Sequence, residues 1–173
     1  MGHTFSGNGP PHRHAQEARI MGLWDGIENE SYTKRSKNIP VGNHVLTGKR
    51  FVVQASQKVR GITNFIAEFE VVSSDSPELS AGDSVSAIYA SDKPSFLRNV
   101  KYLLANYMVA CERQISADIT LREVDAKIEG AYIDAITDGD GTAYAGFQVR
   151  SIGRMTETKT GAAFIAHEWE PAA

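Results

Sequence analysis

Only one cysteine, Cys111, stands in the 173-residue chain, so an internal disulfide is excluded. It falls on the apolar stripe of a predicted helix, where a thiol serves as a small buried hydrophobe, and a reducing, cytoplasmic setting is expected. No run of about 18 apolar residues occurs, so no membrane-spanning helix and no membrane partner are expected. The first residues carry no basic stretch followed by an apolar core, so a secretory signal is not expected either. Phosphate-loop, His-Glu-x-x-His, Cys-x-x-Cys and Gly-x-Ser-x-Gly patterns are all missing. Asp138-Gly139-Asp140-Gly141 has a calcium-loop flavour, but the twelfth position counted from Asp138 is Val149, which offers no carboxylate. Those four residues read as a tight turn. The strand histidines His44 and His167, the latter beside Glu168, complete no catalytic constellation. Neither an enzyme nor a metal or cofactor is expected.

Positive charge is not in excess either. The net charge of −3 counts against a protein that coats nucleic acid by bulk attraction. Any nucleic-acid function must rest on a local basic surface, so the placement of each Lys and Arg matters.

What the chain does have is an internal echo. Phe65-Ile66-Ala67-Glu68-Phe69-Glu70 returns as Phe164-Ile165-Ala166-His167-Glu168-Trp169-Glu170. Each copy follows a cationic, glycine-containing turn, Lys58-Val59-Arg60-Gly61 and Lys159-Thr160-Gly161. Two β-hairpins with basic tips are therefore expected, one on each side of a helix-forming middle.

The 42% apolar and 23% charged content is ordinary for one globular domain. Residues 1–20, dense in Gly, Pro and His, are expected to be a flexible N-terminal extension in which His3, His12 and His14 have no fixed geometry. Residues 21–40 form a polar segment where Lys34, Arg35 and Lys37 lie near Tyr32, and residues 41–171 the domain proper. Strands are predicted over 44–56, 62–72 and 84–89, with a bulge near Gly48. Along the second, Phe65, Ala67, Phe69 and Val71 face one way while Asn64, Glu68 and Glu70 face the other. Phe96, Val100, Leu103, Leu104, Tyr107, Met108 and Cys111 make a helical stripe that leaves Tyr102 partly exposed. Thr120-Leu121-Arg122-Glu123 is a capping box opening a second helix that runs to Asp138-Gly139. The last hairpin spans 144–154 and 162–169. The fold class is mainly β with inserted helices, in the order β-β-β-α-α-β-β. That order fits a five-stranded, OB-fold-like barrel; a β-sandwich would not normally devote so much chain to helices.

Single-strand binders join a cationic track for phosphates to aromatic faces for bases. The phosphate candidates are Lys49, Arg50, Lys58 and Arg60 on the first hairpin, Arg150, Arg154 and Lys159 on the last, and Arg98 and Lys101 on the helix. Charge reversal at Arg150 and Arg154 is expected to lower affinity and flatten its salt dependence. Tyr89, Tyr144, Trp169 and Phe51 are the stacking candidates. Phe65, Phe69 and Phe147 belong to the core, and the echo of Phe69 suggests the same for Trp169. Faces carrying Glu68, Glu70, Glu168 and Glu170 would repel phosphate and should not line the groove.

Three stretches carry a resemblance: Met21-Gly22-Leu23-Trp24-Asp25-Gly26-Ile27, Phe65-Ile66-Ala67-Glu68-Phe69-Glu70-Val71-Val72, and the run from Thr158 to Trp169. Over about residues 21–171 the chain resembles small tailed-bacteriophage proteins similar to OB-fold single-stranded-DNA-binding proteins. The resemblance implies sequence-tolerant binding of single-stranded DNA during replication or recombination in the cytoplasm of a bacterial host. It admits phage replication or recombination proteins, and further copies of the chain, as partners. The acidic Pro/Gly-rich tail of bacterial single-strand binders is missing from the end Glu170-Pro171-Ala172-Ala173. The alternative is a non-enzymatic phage structural or adaptor protein using the barrel for protein contacts, which the net acidity and Glu68 and Glu70 suit.

Overall fold

A computed structural model describes residues 36–115 and 119–172. The 1–20 extension with its histidines, the 21–27 run and the cluster of Tyr32, Lys34 and Arg35 lie outside the described residues. The described elements are β1 (Lys37–Asn38), β2 (Gly42–Ala55), β3 (Thr63–Ser74), β4 (Ser84–Ala90), α1 (Phe96–Ile115), α2 (Leu121–Asp125), α3 (Gly130–Thr137), β5 (Gln148–Glu157) and β6 (Ala163–Pro171). The strands form one curled, mixed sheet, a half-barrel in the order β1-β4-β3-β2-β5-β6. Every pairing is antiparallel except β1 with β4.

The sheet has six strands where five were expected. The added one is β1, whose two residues pair with Val85 and Ser86. Lys37 pins it, donating to the Glu78 carbonyl at 3.0 Å and pairing with Asp83 at 2.9 Å. Ile39, which follows, is buried in the core. A strand thus lies inside the segment assigned to 21–40.

β2 is the strand that makes the sheet curl. Its first half pairs with β5, from Gly42 opposite Gly153 to Thr47 opposite Gln148, while β3 follows it out to Ala55. Between Gly48 and Arg50 the register shifts, because Lys49 is extra against the consecutive partners Phe69 and Glu68. An extra residue reverses the in–out alternation. Leu46 and Phe51, of opposite parity in sequence, are therefore both fully buried. The bulge expected near Gly48 is present, and its glycine has a packing reason. A β-carbon there would collide with the Tyr107 ring and hydroxyl, so only glycine lets α1 lie so close to the bend.

Sheet and helix share one core. Phe51 contacts Phe65, Phe69 and Tyr107, the last with ring centroids 4.8 Å apart. On β3, Phe65, Ala67, Phe69 and Val71 are buried as the alternation predicts. The stripe of α1 is buried from Val100 to Cys111, with Phe96 half-buried, but Ala105, Asn106, Val109 and Ala110 are buried as well. The middle of the helix is covered on more sides than an amphipathic pattern implies, since β4, β5, β6 and α2 all pack against it. Cys111 is buried, and desolvation pushes its thiol up to about 12, as expected of an inert hydrophobe.

The second expected helix is two short ones. The Thr120 capping box is present, with the Thr120 hydroxyl accepting from Glu123 N–H and the Glu123 carboxylate reaching back to Thr120 N–H. The helix stops after Asp125, Ile128 turns into the core, and extended Glu129 precedes Gly130, a weak helix former. The last hairpin also starts later than expected. Residues 142–146 form a turn with Gly146 at φ 95°, so Tyr144 lies off β5. Among the described residues no helix is long and apolar enough to cross a membrane.

Candidate nucleic-acid interface

Cross-strand register decides what the outer face of the sheet presents. Arg50 stands opposite Glu68 and Arg150 opposite Glu170, while Arg154, opposite Ala166, lies two rows from Glu168. Arg50 bonds Glu68 through two nitrogens, at 2.7 and 3.0 Å. Lys49 pairs with Glu70 at 3.1 Å, Arg150 with Glu170 at 3.6 Å and Arg154 with Glu168 at 3.4 Å. The Glu68 carboxylate holds the Arg50 guanidinium above its usual range. Exposed pairs of this kind contribute only about 0–1 kcal/mol each to stability. Their consequence for binding is larger, because a phosphate approaching any of the four cations meets a carboxylate beside it. The outer face is a charge-balanced ladder.

The hairpin tips carry unpaired charge, at opposite ends of the sheet. Lys58 and Arg60 sit beyond Ala55, whereas Lys159 sits past Glu157, beyond the start of β2. All three are exposed and form no ion pair among the described residues.

The unclosed edge of the half-barrel is different. β4 is covered by β1 only at Val85 and Ser86, and β6 is paired on one side only among the described residues. Between the two edges lies a cleft of about 1050 Å3, with the first turns of α1 at one end. Trp169 Nε1–H donates across it to Tyr89 Oη at 3.2 Å, and Tyr102 Oη–H ties α1 to β6 by donating to the Trp169 carbonyl at 3.4 Å. Among the described residues, those lining it include Lys93 and Arg98 and no Asp or Glu. In a chain with 21 acidic residues that is a selective omission. Lys93 pairs with its neighbour Asp92 at 3.1 Å, and Arg98 forms no ion pair among the described residues. Ile88, Phe164 and Tyr102 stand exposed along it, and Phe96 is half-buried.

The stacking candidates separate accordingly. Phe51 and Trp169 are core residues, buried by the bulge of β2 and by the packing of Trp169 against Phe69. Tyr89 is half-buried at the cleft floor, where desolvation pushes its hydroxyl up to about 12. Tyr144 is half-buried against Tyr132, its carbonyl accepting from Tyr107 Oη at 2.5 Å, so it does not join Arg150 and Arg154 on a strand face. Lys101 pairs with Asp125 at 3.5 Å on the far side of α1. Of the expected residues, the cleft gathers Tyr89, Arg98 and Trp169. It adds Lys93, Phe96, Tyr102 and Phe164. Which two edges face each other is not readable from sequence, but one sign was available: residues 84–91 carry no charge at all.

Histidine chemistry is accounted for by structure. His44 is buried, donating Nε2–H to the Pro40 carbonyl at 3.0 Å, so its Nδ1 accepts from the Ser74 hydroxyl at 2.8 Å. His167 Nδ1 lies 3.2 Å from Ser151 Oγ, and burial lowers its pKa to about 4. Residues 138–141 form the expected tight turn, closed by Gly141 N–H to the Asp138 carbonyl. No group of three or more metal-ligating side chains occurs among the described residues.

A scan against protein-family models finds no match, and a search of curated proteins finds none.

Proposed function

We propose that the protein is a phage-type, OB-fold-like, single-stranded-DNA-binding protein that holds single strands without strong sequence preference during replication or recombination. The order β4-β3-β2-β5-β6, with the helices inserted between β4 and β5, supports the barrel assignment, β1 being an addition at the edge. The observation that carries the function is the cleft between β4 and β6. Among the described residues its lining holds no carboxylate; it is edged by Lys93 and Arg98 and set with exposed aromatic and aliphatic side chains. Phosphates are attracted chiefly by Arg98, with Lys93 shared between them and Asp92, and bases lie against Tyr102 and Phe164, where stacking contributes about 1–3 kcal/mol per base. The outer sheet face contributes little, because its cations are already engaged.

Fluorescence anisotropy with labelled single-stranded and duplex DNA across a salt series tests this. Binding that is single-strand-selective and falls with salt supports it, and no binding at low salt refutes it. A structural or adaptor role is favoured by one observation, the exposed apolar Met155 and Phe164 on the last hairpin. That role predicts partner-protein contacts there and no DNA binding.

A further inference from the structure

Adjoining the cleft along α1 lies a second groove, of about 660 Å3, between α1 and α2. Arg98, Asn99 and Tyr102 line both depressions, so the two are continuous across one helical ridge. The second groove adds Lys101 and Arg122 to Arg98, against Asp125 as the single carboxylate among the described residues that line it. Arg122 is exposed and forms no ion pair among the described residues, while Asp125 is engaged by Lys101 at 3.5 Å. Its apolar surface comes from Ala105, Leu121 and Tyr102, and the last two are exposed at 42% and 41%. An excess of guanidinium groups around an open apolar floor with an aromatic ring matches the chemistry of a single-stranded nucleic acid.

We propose that this groove continues the DNA path. A strand lying in the cleft crosses the ridge of Arg98 and Tyr102 and leaves between Lys101 and Arg122. The inserted helices then act as a second binding surface as well as a plug for the barrel. This rests on the single-strand-binding function proposed above and extends it from the sheet edge to the helix pair.

The test compares oligo-dT of about 4 nucleotides, short enough for the cleft alone, with oligo-dT of about 16, long enough for both grooves. Arg122→Glu and the milder Arg122→Gln, each checked for native circular dichroism, are titrated beside wild type. The proposal predicts that wild type gains affinity with length and that Arg122→Glu erases about tenfold of that gain, with a salt slope for the longer strand reduced by about one. Arg122→Gln should show the same change in smaller measure. If both lengths weaken by one factor, or neither changes, the path does not cross the ridge, although single-strand binding itself survives. If wild type binds neither oligonucleotide, the proposed function falls and the path with it.

Discussion

Trp169 is stacked on Phe69, with ring centroids 5.6 Å apart and planes 28° from parallel. These are the second aromatic of each copy of the repeated segment, meeting from β3 and β6. The copies differ by one residue, since His167 has no counterpart in the first. In a strand, one extra residue sends everything before it to the other face. Phe65 and Phe69 are thus both buried, whereas Trp169 is buried and Phe164 is 46% exposed. The echo supplies one core contact and releases one aromatic ring to the cleft.

Removing either ring of that stack should cost most of the stability of a small domain. Trp169→Ala is expected to destabilise by about 3–5 kcal/mol, read from urea denaturation followed by circular dichroism. The double-mutant cycle with Phe69→Ala should return a coupling of about 0.5–1.5 kcal/mol. Near-zero coupling would mean the rings do not pack on each other.

Gly48→Ala should be more damaging than a surface strand substitution. The new methyl group meets Tyr107, whose hydroxyl is bonded to the Tyr144 carbonyl. Overpacking of this kind costs about 1–3 kcal/mol. Its urea midpoint should fall well below that of wild type, and an unchanged midpoint would show that the helix does not rest on the bend.

His167 makes stability pH-dependent in a defined window. Its folded pKa, near 4, lies below the ordinary 6.5, chiefly through burial and secondarily through His44. The groups facing it are Ser151, His44 and the Trp169 ring. Above the ordinary value neither state holds a proton and the full stability is present. As pH falls from 6.5 towards 4, the unfolded chain takes a proton that the folded one refuses, so stability drops. Urea midpoints between about pH 7 and pH 5 should fall in wild type and fall less in His167→Gln. Equal slopes would contradict the burial.

Much of the fold was legible in the sequence because it is written locally. The alternation of β3, the stripe of α1, the Thr120 capping box and the glycine at the bulge each depend on a few neighbouring residues. The break at Glu129 and the extra strand at Lys37 were not legible, since both depend on what the chain packs against. The candidate site divides along the same line. The cations could be named from sequence, but their partners are set by cross-strand register. Arg50, Arg150 and Arg154 were expected to meet phosphate and instead face Glu68, Glu170 and Glu168. Tyr102 was recognised as exposed, but not as part of a cleft, because that cleft exists only where β4 and β6 fail to meet.

Those ion pairs change what charge reversal should do. One experiment separates the cleft from the outer face: anisotropy of labelled oligo-dT with Lys93→Glu/Arg98→Glu and with Arg150→Glu/Arg154→Glu, each over a salt series beside wild type. The cleft variant is predicted to lose about tenfold or more in affinity and to lower the salt slope by about one to two. The outer-face variant should stay within about threefold of wild type, because its reversed charges replace cations already balanced by glutamates. Stronger loss in the outer-face variant, or no loss in the cleft variant, would contradict the assignment of the cleft as the DNA site.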